Sequence, residues 1–119
     1  MTVPAELQAQ KYISLTTFRK TGVPVRTPVW FAEEGGKLYV MNEREAGKIK
    51  RVRNNPNVRL APCTIRGKVT GPEFNGRARV LPSGEESELA RQVIRKKYWL
   101  ARLSLRSRHN QYLEIEIQS

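Results

Sequence analysis

Hydrophobic and polar positions divide the chain into short runs of two different periods. Tyr12 to Phe18 (YISLTTF) is rich in β-branched and aromatic residues and reads as a strand. Thr21-Gly22-Val23-Pro24 is turn chemistry, and Val25 to Ala32 (VRTPVWFA) resumes the strand pattern. Alternation puts Val25, Thr27, Val29 and Phe31 on one face and Arg26, Pro28, Trp30 and Ala32 on the other. Pro28 donates no hydrogen bond, which points to a sheet edge or a bulge. Glu34-Gly35-Gly36 then turns the chain into a short strand, Lys37 to Met41.

The period changes next. Ala46, Ile49 and Val52 or Arg53 recur at helical spacing, and Pro56 stops the helix. Its start is open: Asn42 with Glu45 makes one cap, and a first turn at Ala46-Gly47 makes another. Val58 to Thr64 is a further strand, and Phe74 to Leu81 follows the Gly71-Pro72 turn as the next. Ser83-Gly84-Glu85-Glu86 reads as a capping box opening a second helix. That helix carries a broad apolar stripe of Leu89, Val93, Leu100 and Leu103 with Ala90, Ile94 and Ala101. Tyr112 to Ile117 (YLEIEI) closes the chain, with Leu113, Ile115 and Ile117 inward and Glu114 and Glu116 outward. The outline is five strands, a short helix after the third, a long helix after the fifth, and a sixth strand. It is mainly β with two helices, and short antiparallel strands in this number close into a small barrel.

Length and composition narrow this outline. A chain of 119 residues has room for one core and one domain, 1–119. An apolar fraction of 39% is low enough to expect apolar surface shared with a partner chain. No apolar run is long enough to span a membrane, and MTVPAELQAQKY is not a signal peptide, so a cytoplasmic location is expected. The lone Cys63 excludes an internal disulfide and a cysteine zinc site, and its apolar strand makes it a small buried residue rather than a nucleophile. His109 is the one histidine, too little for a metal centre, and its basic surroundings make it exposed.

Charge is the strongest compositional signal. Twenty-two Lys and Arg against eleven Asp and Glu leave +11, which favours an anionic partner. The densest cluster is GKIKRVRNNPNVRL, Gly47 to Leu60, and it has three readings: a nucleic-acid grip, a grip on one small anion, or a solvated helix face. Seven further basic residues between Arg91 and Arg108 make part of the charge diffuse. Aromatics are only 8% and sit mostly in apolar strand positions, so the interleaved platforms of single-strand binders are missing, and specific nucleic-acid binding ranks last.

The stretch KYISLTTFRKTGVPVRTPVWFAEEGGKLYVMNEREAGKIKRVRNNPNVRLAPC, followed by RGKVTGPEFNGRARV, resembles the flavin- and deazaflavin-binding split β-barrel family that includes pyridoxamine 5′-phosphate oxidase. Within it, the chain most resembles the branch of oxidoreductases that use coenzyme F420. The likeness covers nearly the whole chain, most clearly Lys11 to Val80, and rests on TPVWF, GK-x-K-R and NP together. It implies a six-stranded antiparallel split barrel that forms a homodimer, with cofactor sites at the subunit interface. It also implies that the helix after the third strand offers its first turn and a lysine to the cofactor phosphate. Lys48 holds that position, with Lys50 and Arg51 following. Relatives commonly carry Ser or Arg before this lysine, where this chain has Ala46-Gly47, so one phosphate donor is lost. Thr27, Pro28, Val29 and Trp30 match the strand lining the ring system, and Met41 and Asn42 the next strand's approach to the cofactor.

The resemblance thus implies hydride transfer between reduced F420 and a small organic substrate, with FMN as the alternative cofactor and a non-catalytic carrier as the alternative role. F420 has an acidic oligoglutamate tail that Lys50, Arg51 and Arg53 would suit, and FMN has none. Lys48 is the central residue, while Arg53 and Arg59 are surface positions. Phe31 is assigned to the core, and Trp30 to the ring pocket or to the dimer seam. No catalytic acid or base stands out, although Tyr98 and Tyr112 are candidates for a late proton donor.

Overall fold

A strand that must serve two partners needs a corner, and this chain makes its corner at Phe31. The computed structural model describes residues 3–8, 10–44, 46–98 and 110–118. Its elements are β1 (Tyr12–Phe18), β2 (Pro24–Trp30), β3 (Ala32–Glu34), β4 (Lys37–Glu43), α1 (Gly47–Asn54), β5 (Asn57–Pro62), β6 (Phe74–Val80), α2 (Glu85–Lys97) and β7 (Asn110–Gln118). The strands form one antiparallel sheet in the order β2-β1-β5-β6-β7-β4-β3.

The expected six strands are therefore seven, because the run Val25 to Ala32 divides. Trp30 still pairs with Tyr12 of β1, whereas Ala32 already pairs with Tyr39 of β4. Between them, Phe31 finds its main-chain partner in a side chain. The Tyr98 Oη lies 2.7 Å from the carbonyl oxygens of both Phe31 and Lys11, so its one proton serves the pair, and it accepts the Phe31 N–H at 3.4 Å. Since β2 and β3 are the two edges of the sheet, this corner joins edge to edge and curls the sheet into a half-barrel. Pro28 lies on the edge strand β2, as its missing N–H requires.

The inward faces supply the main core: Ile13 and Leu15, Val29, Leu38 and Val40, Val58 and Leu60, Ala78, and Leu113, Ile115 and Ile117. α1 adds Ile49 and Val52 to it, and Val3 and Leu7 enter from the N-terminal segment. The inward and outward assignment of the last strand holds for Leu113, Ile115 and Ile117. A second layer lies outside the sheet, where Ala90 and Ile94 of α2 pack on Ala32, Leu81 and Tyr112. Of the expected α2 stripe, Leu89 is 58% exposed and belongs to the solvent side, whereas Leu100, Ala101 and Leu103 lie outside the described residues. Among the described residues no helix is long and apolar enough to cross a membrane.

Both helix starts differ from a side-chain cap. α1 takes the second of its two openings, with Ala46 at the N-cap and no capping side chain, while Asn42 stays in β4 and Glu45 lies outside the described residues. α2 begins one residue later than a Ser83 capping box needs. Gly84 is its N-cap, at φ 111°, a backbone state that glycine adopts freely. Ser87 then occupies the third helical position and turns its hydroxyl to the Pro82 carbonyl at 2.7 Å. Glu85, Glu86 and Glu88 in the first turn supply the charge complement to the helix dipole.

Two expected outcomes test this account. A Cβ on Gly76 would lie 3.0 Å from Leu60 Cδ1 and 3.2 Å from both the Glu116 carbonyl oxygen and Ile115 Cγ2. Gly76→Ala should therefore destabilise the chain by about 1–2 kcal/mol through overpacking, read as a shifted urea midpoint at constant slope. Lys97 gives the second outcome. Its Nζ sits 3.8 Å above the Phe31 ring and bonds the Gln10 carbonyl. Burial pushes its amine down to about 8 from 10.5, against the opposing Glu33 carboxylate. The folded chain therefore releases a proton that the unfolded chain keeps, so the Lys97 contribution to stability rises with pH from about 8 towards 10.5. Urea melts should show this rise in the difference between wild type and Lys97→Met, and parallel pH profiles of the two chains would contradict it.

Candidate functional site

The sheet holds α1 with its first turn beside the end of β1. Residues at i and i+4 share a helix face, and side chains lean towards the N-terminus, so Arg51 folds back over Gly47. Its Nε donates to Thr17 Oγ1 at 2.6 Å. Its Nη1 lies 2.8 Å from the point where a Gly47 Cβ would stand. The absence of a side chain at Gly47 thus makes room for a guanidinium.

This arrangement gathers positive charge at the positive end of a helix. Lys48 is half-buried, and burial first, then Arg51, hold its amine below the ordinary lysine range, with only Glu43 opposing. Arg51 is likewise held down by burial and then by Arg19. α1 carries no acidic residue in its first turn, and among the described residues no ion pair reaches Lys48, Arg51 or Arg19. Free N–H groups at a helix start add to the same field. Cations so placed repel one another, and an anion relieves the repulsion.

Asn42 adds a second unsatisfied group. It lies on the barrel side of β4 with Leu38 and Val40, only 5% exposed, and its Nδ2 donates to the Val40 carbonyl at 3.3 Å. Among the described residues its Oδ1 has no hydrogen-bond partner. A buried carbonyl without a donor costs on the order of 1–3 kcal/mol, which a ligand hydroxyl or amide would recover.

The other predicted residues divide between packing and a sheet edge. Lys50 is exposed on α1. Thr27 is half-buried and Val29 belongs to the barrel core, whereas Pro28 and Trp30 face outward on the edge strand. Met41 points opposite to Asn42, packs beneath α2, and its Sδ receives Asn110 Nδ2 at 3.2 Å. Met41 and Asn42 therefore cannot offer side chains to one face. Trp30 stacks on Tyr98, with ring centroids 5.1 Å apart and planes 12° from parallel, and Tyr12 meets it edge-on at 6.3 Å. The β5–β6 connection approaches the same edge, since a Cβ on Gly67 would lie 3.7 Å from the Pro28 ring.

Thr17 and Arg19 were missed by sequence reasoning. Thr17 sits in an apolar strand and Arg19 just beyond it, and only the placement of α1 brings them to Arg51. The two tyrosines considered as proton donors are held elsewhere. The Tyr98 hydroxyl is committed to main-chain carbonyls, with burial pushing its pKa up to about 12, and Tyr112 is buried beneath α2 with its pKa also raised. Cys63 is buried and its thiol is raised by that burial. Arg59 is exposed, pairs with Glu73 at 3.8 Å and lies over the Phe18 ring, and Arg53 is exposed. His109 lies outside the described residues, among which no three metal-type ligands converge.

No curated protein matches this sequence. Solved structures share its fold. A proposed pyridoxamine 5′-phosphate oxidase of Listeria innocua superposes with a TM-score of 0.71 at 21% identity, covering 97% of this chain and 90% of that one. HutZ, the haem storage protein of Vibrio cholerae, gives 0.72 at 16% identity over 100% and 92%. A haem-binding protein of Mycobacterium smegmatis gives 0.74 at 15% identity, over 99% of this chain and 53% of its own. At these identities the structures speak for the fold alone. The sequence itself matches a family over residues 2–119, and on that match the chain belongs to the pyridoxamine 5′-phosphate oxidase family.

Proposed function

We propose that the protein is an F420-dependent oxidoreductase, working as a homodimer with cofactor at the subunit interface and passing hydride between the reduced deazaflavin and a small organic substrate. One observation carries this reading: Lys48, Arg51 and Arg19 converge on the first turn of α1 with no ion-pair partner among the described residues. That is the environment a phosphate ester needs, and the family is described by a phosphorylated compound, pyridoxamine 5′-phosphate.

The residues fit the group. Arg51, held by Thr17 and admitted by Gly47, offers a fixed guanidinium, and Lys48 adds a second charge beside it. Asn42 Oδ1 is an acceptor awaiting a donor, and the sugar-alcohol chain of a flavin or deazaflavin carries several hydroxyls. Lys50 and Arg53, exposed on the same helix, suit an acidic tail. Thr27, Pro28 and the Val29 main chain, with Trp30, form the edge assigned to the ring. When bound, the cofactor supplies the hydride-carrying carbon, while the protein contributes orientation, charge and exclusion of water. No general acid or base is assigned.

FMN is the second cofactor reading, because it presents the same phosphate without the tail, and some members of the family bind it. Others bind haem, as two of the structural neighbours do by name. A carrier that binds cofactor without turning it over is the alternative role. Nucleic-acid binding remains last, since Trp30 is the one large aromatic among the exposed apolar residues described.

Fluorescence titrations with F420 and with FMN, and an absorbance titration with haemin, separate these readings. F420 should bind most tightly, and Lys48→Ala should weaken it about ten- to hundredfold. Failure of both F420 and FMN to bind would sink the proposal, whatever haemin does. Gly47→Ala is the sharper variant. Alanine favours the helix but collides with the Arg51 guanidinium, so cofactor affinity should fall while the melting temperature holds or rises. Mixing the reduced complex with candidate acceptors then distinguishes enzyme from carrier by whether the cofactor is reoxidised.

A further inference from the structure

The outer edge of the barrel carries an aromatic arrangement that the phosphate site leaves unexplained. Trp30 ends the edge strand β2 and keeps 36% of its surface exposed, although two rings hold it. One indole face lies on the Tyr98 phenol, and Tyr12, its cross-strand partner on β1, meets it edge-on. Tyr98 is itself pinned. It is the C-cap residue of α2, and its hydroxyl joins the Lys11 carbonyl before β1 to the main chain of Phe31 at the sheet corner. The preceding Lys97 covers the Phe31 ring and bonds the Gln10 carbonyl, so the end of α2 is fastened to both segments.

An indole packed only for burial needs no such frame. A planar surface fixed in direction, with part of its area left open, is what stacking against a flat ring requires, because a rotamer fixed in advance costs no ordering on binding. We propose that Tyr98 is a positioning residue that holds Trp30 as the stacking wall for the planar ring of the bound cofactor. Tyr98 touches no ligand in this arrangement and acts through the indole. The inference rests on the cofactor reading above and concerns the ring end of the ligand, whereas Lys48 concerns the phosphate end.

Riboflavin and FMN separate the two ends, since they share the ring and differ by the phosphate. Their affinities are measured by flavin fluorescence for wild type, Tyr98→Leu, Tyr98→Phe and Lys48→Ala. Acrylamide quenching of Trp30 is followed in a Trp99→Phe background, and a thermal melt accompanies each chain. Tyr98→Leu should weaken riboflavin and FMN by the same factor, about three- to tenfold, and make Trp30 more quenchable. Tyr98→Phe, which keeps the stack but loses the hydroxyl that pins it, should fall between wild type and Tyr98→Leu for both flavins, while Lys48→Ala should weaken FMN and leave riboflavin unchanged. Unchanged riboflavin affinity in Tyr98→Leu overturns the inference and leaves the phosphate reading standing. A change confined to the monomer–dimer balance overturns it in favour of a seam residue. Wild-type chain that binds neither flavins nor F420 overturns both. Should Tyr98→Leu fail to fold, Trp30→Leu carries the comparison: equal losses for the two flavins support the wall, and no loss removes it.

Discussion

The corner at Phe31 is the constraint on which the rest of the structure depends. A curled sheet with two edges closes only if one chain segment can leave the first edge and enter the last, and here that happens across a single residue. At that residue the main chain has no strand partner, and an unpaired buried peptide group is costly. Tyr98 supplies the missing partners from outside the sheet, which ties the end of α2 to the barrel it covers. Folding of the outer layer and closure of the barrel are therefore coupled. Lys97 strengthens the same tie at some electrostatic cost, because its ammonium gives up part of its water to lie on the Phe31 ring.

The candidate site runs against stability in the same way. Lys48 on the first turn of α1, with the Arg51 side chain folded back beside it and Arg19 next to that, opposes the helix dipole. The three cations oppose one another, and Asn42 buries a carbonyl that no donor among the described residues meets. Each feature is unfavourable in the free chain, and an anion or a hydrogen-bond donor placed there would relieve it. Some charges elsewhere are paired. Arg79 reaches both Glu86 and Glu114, and Lys37 reaches Glu114. What sets the α1 turn apart from net charge is burial, because +11 is a property of the whole surface whereas Lys48 and Arg51 are partly buried beside one another.

Much of this was legible in the residues. Period-two alternation identifies the strands from Tyr12 to Ile117, and Pro28 announces its edge position through its missing donor. The division at Phe31 was not legible, because Val25 to Ala32 alternates without interruption and the break lies in a change of pairing partner. Ser83 also reads as a cap, yet the left-handed state of Gly84 moves the helix start past it. Lys48 and Arg51 could be singled out from their place on a short basic helix, and the family resemblance supplied the phosphate. Thr17 and Arg19 could not, since their part depends on the tertiary placement of α1. Tyr98 was seen only as a possible acid, because sequence gives no sign that its hydroxyl is spent on main chain 67 and 87 residues away.

The two ends of the site stand on different supports, and the sheet sets the distance between them. β1 and β2 pair without a bulge from Thr17 opposite Val25 to Tyr12 opposite Trp30. Those five steps amount to about 17 Å along the strands. The phosphate end belongs to α1 and the end of β1, and the aromatic end to the β2 edge and α2. Five is an odd number of steps, so Thr17 and Tyr12 stand on opposite faces of β1, and Trp30, opposite Tyr12, faces away from the barrel that Thr17 lines. The two ends are therefore separated by the sheet as well as by distance, and a ligand that used both would have to pass around the β2 edge.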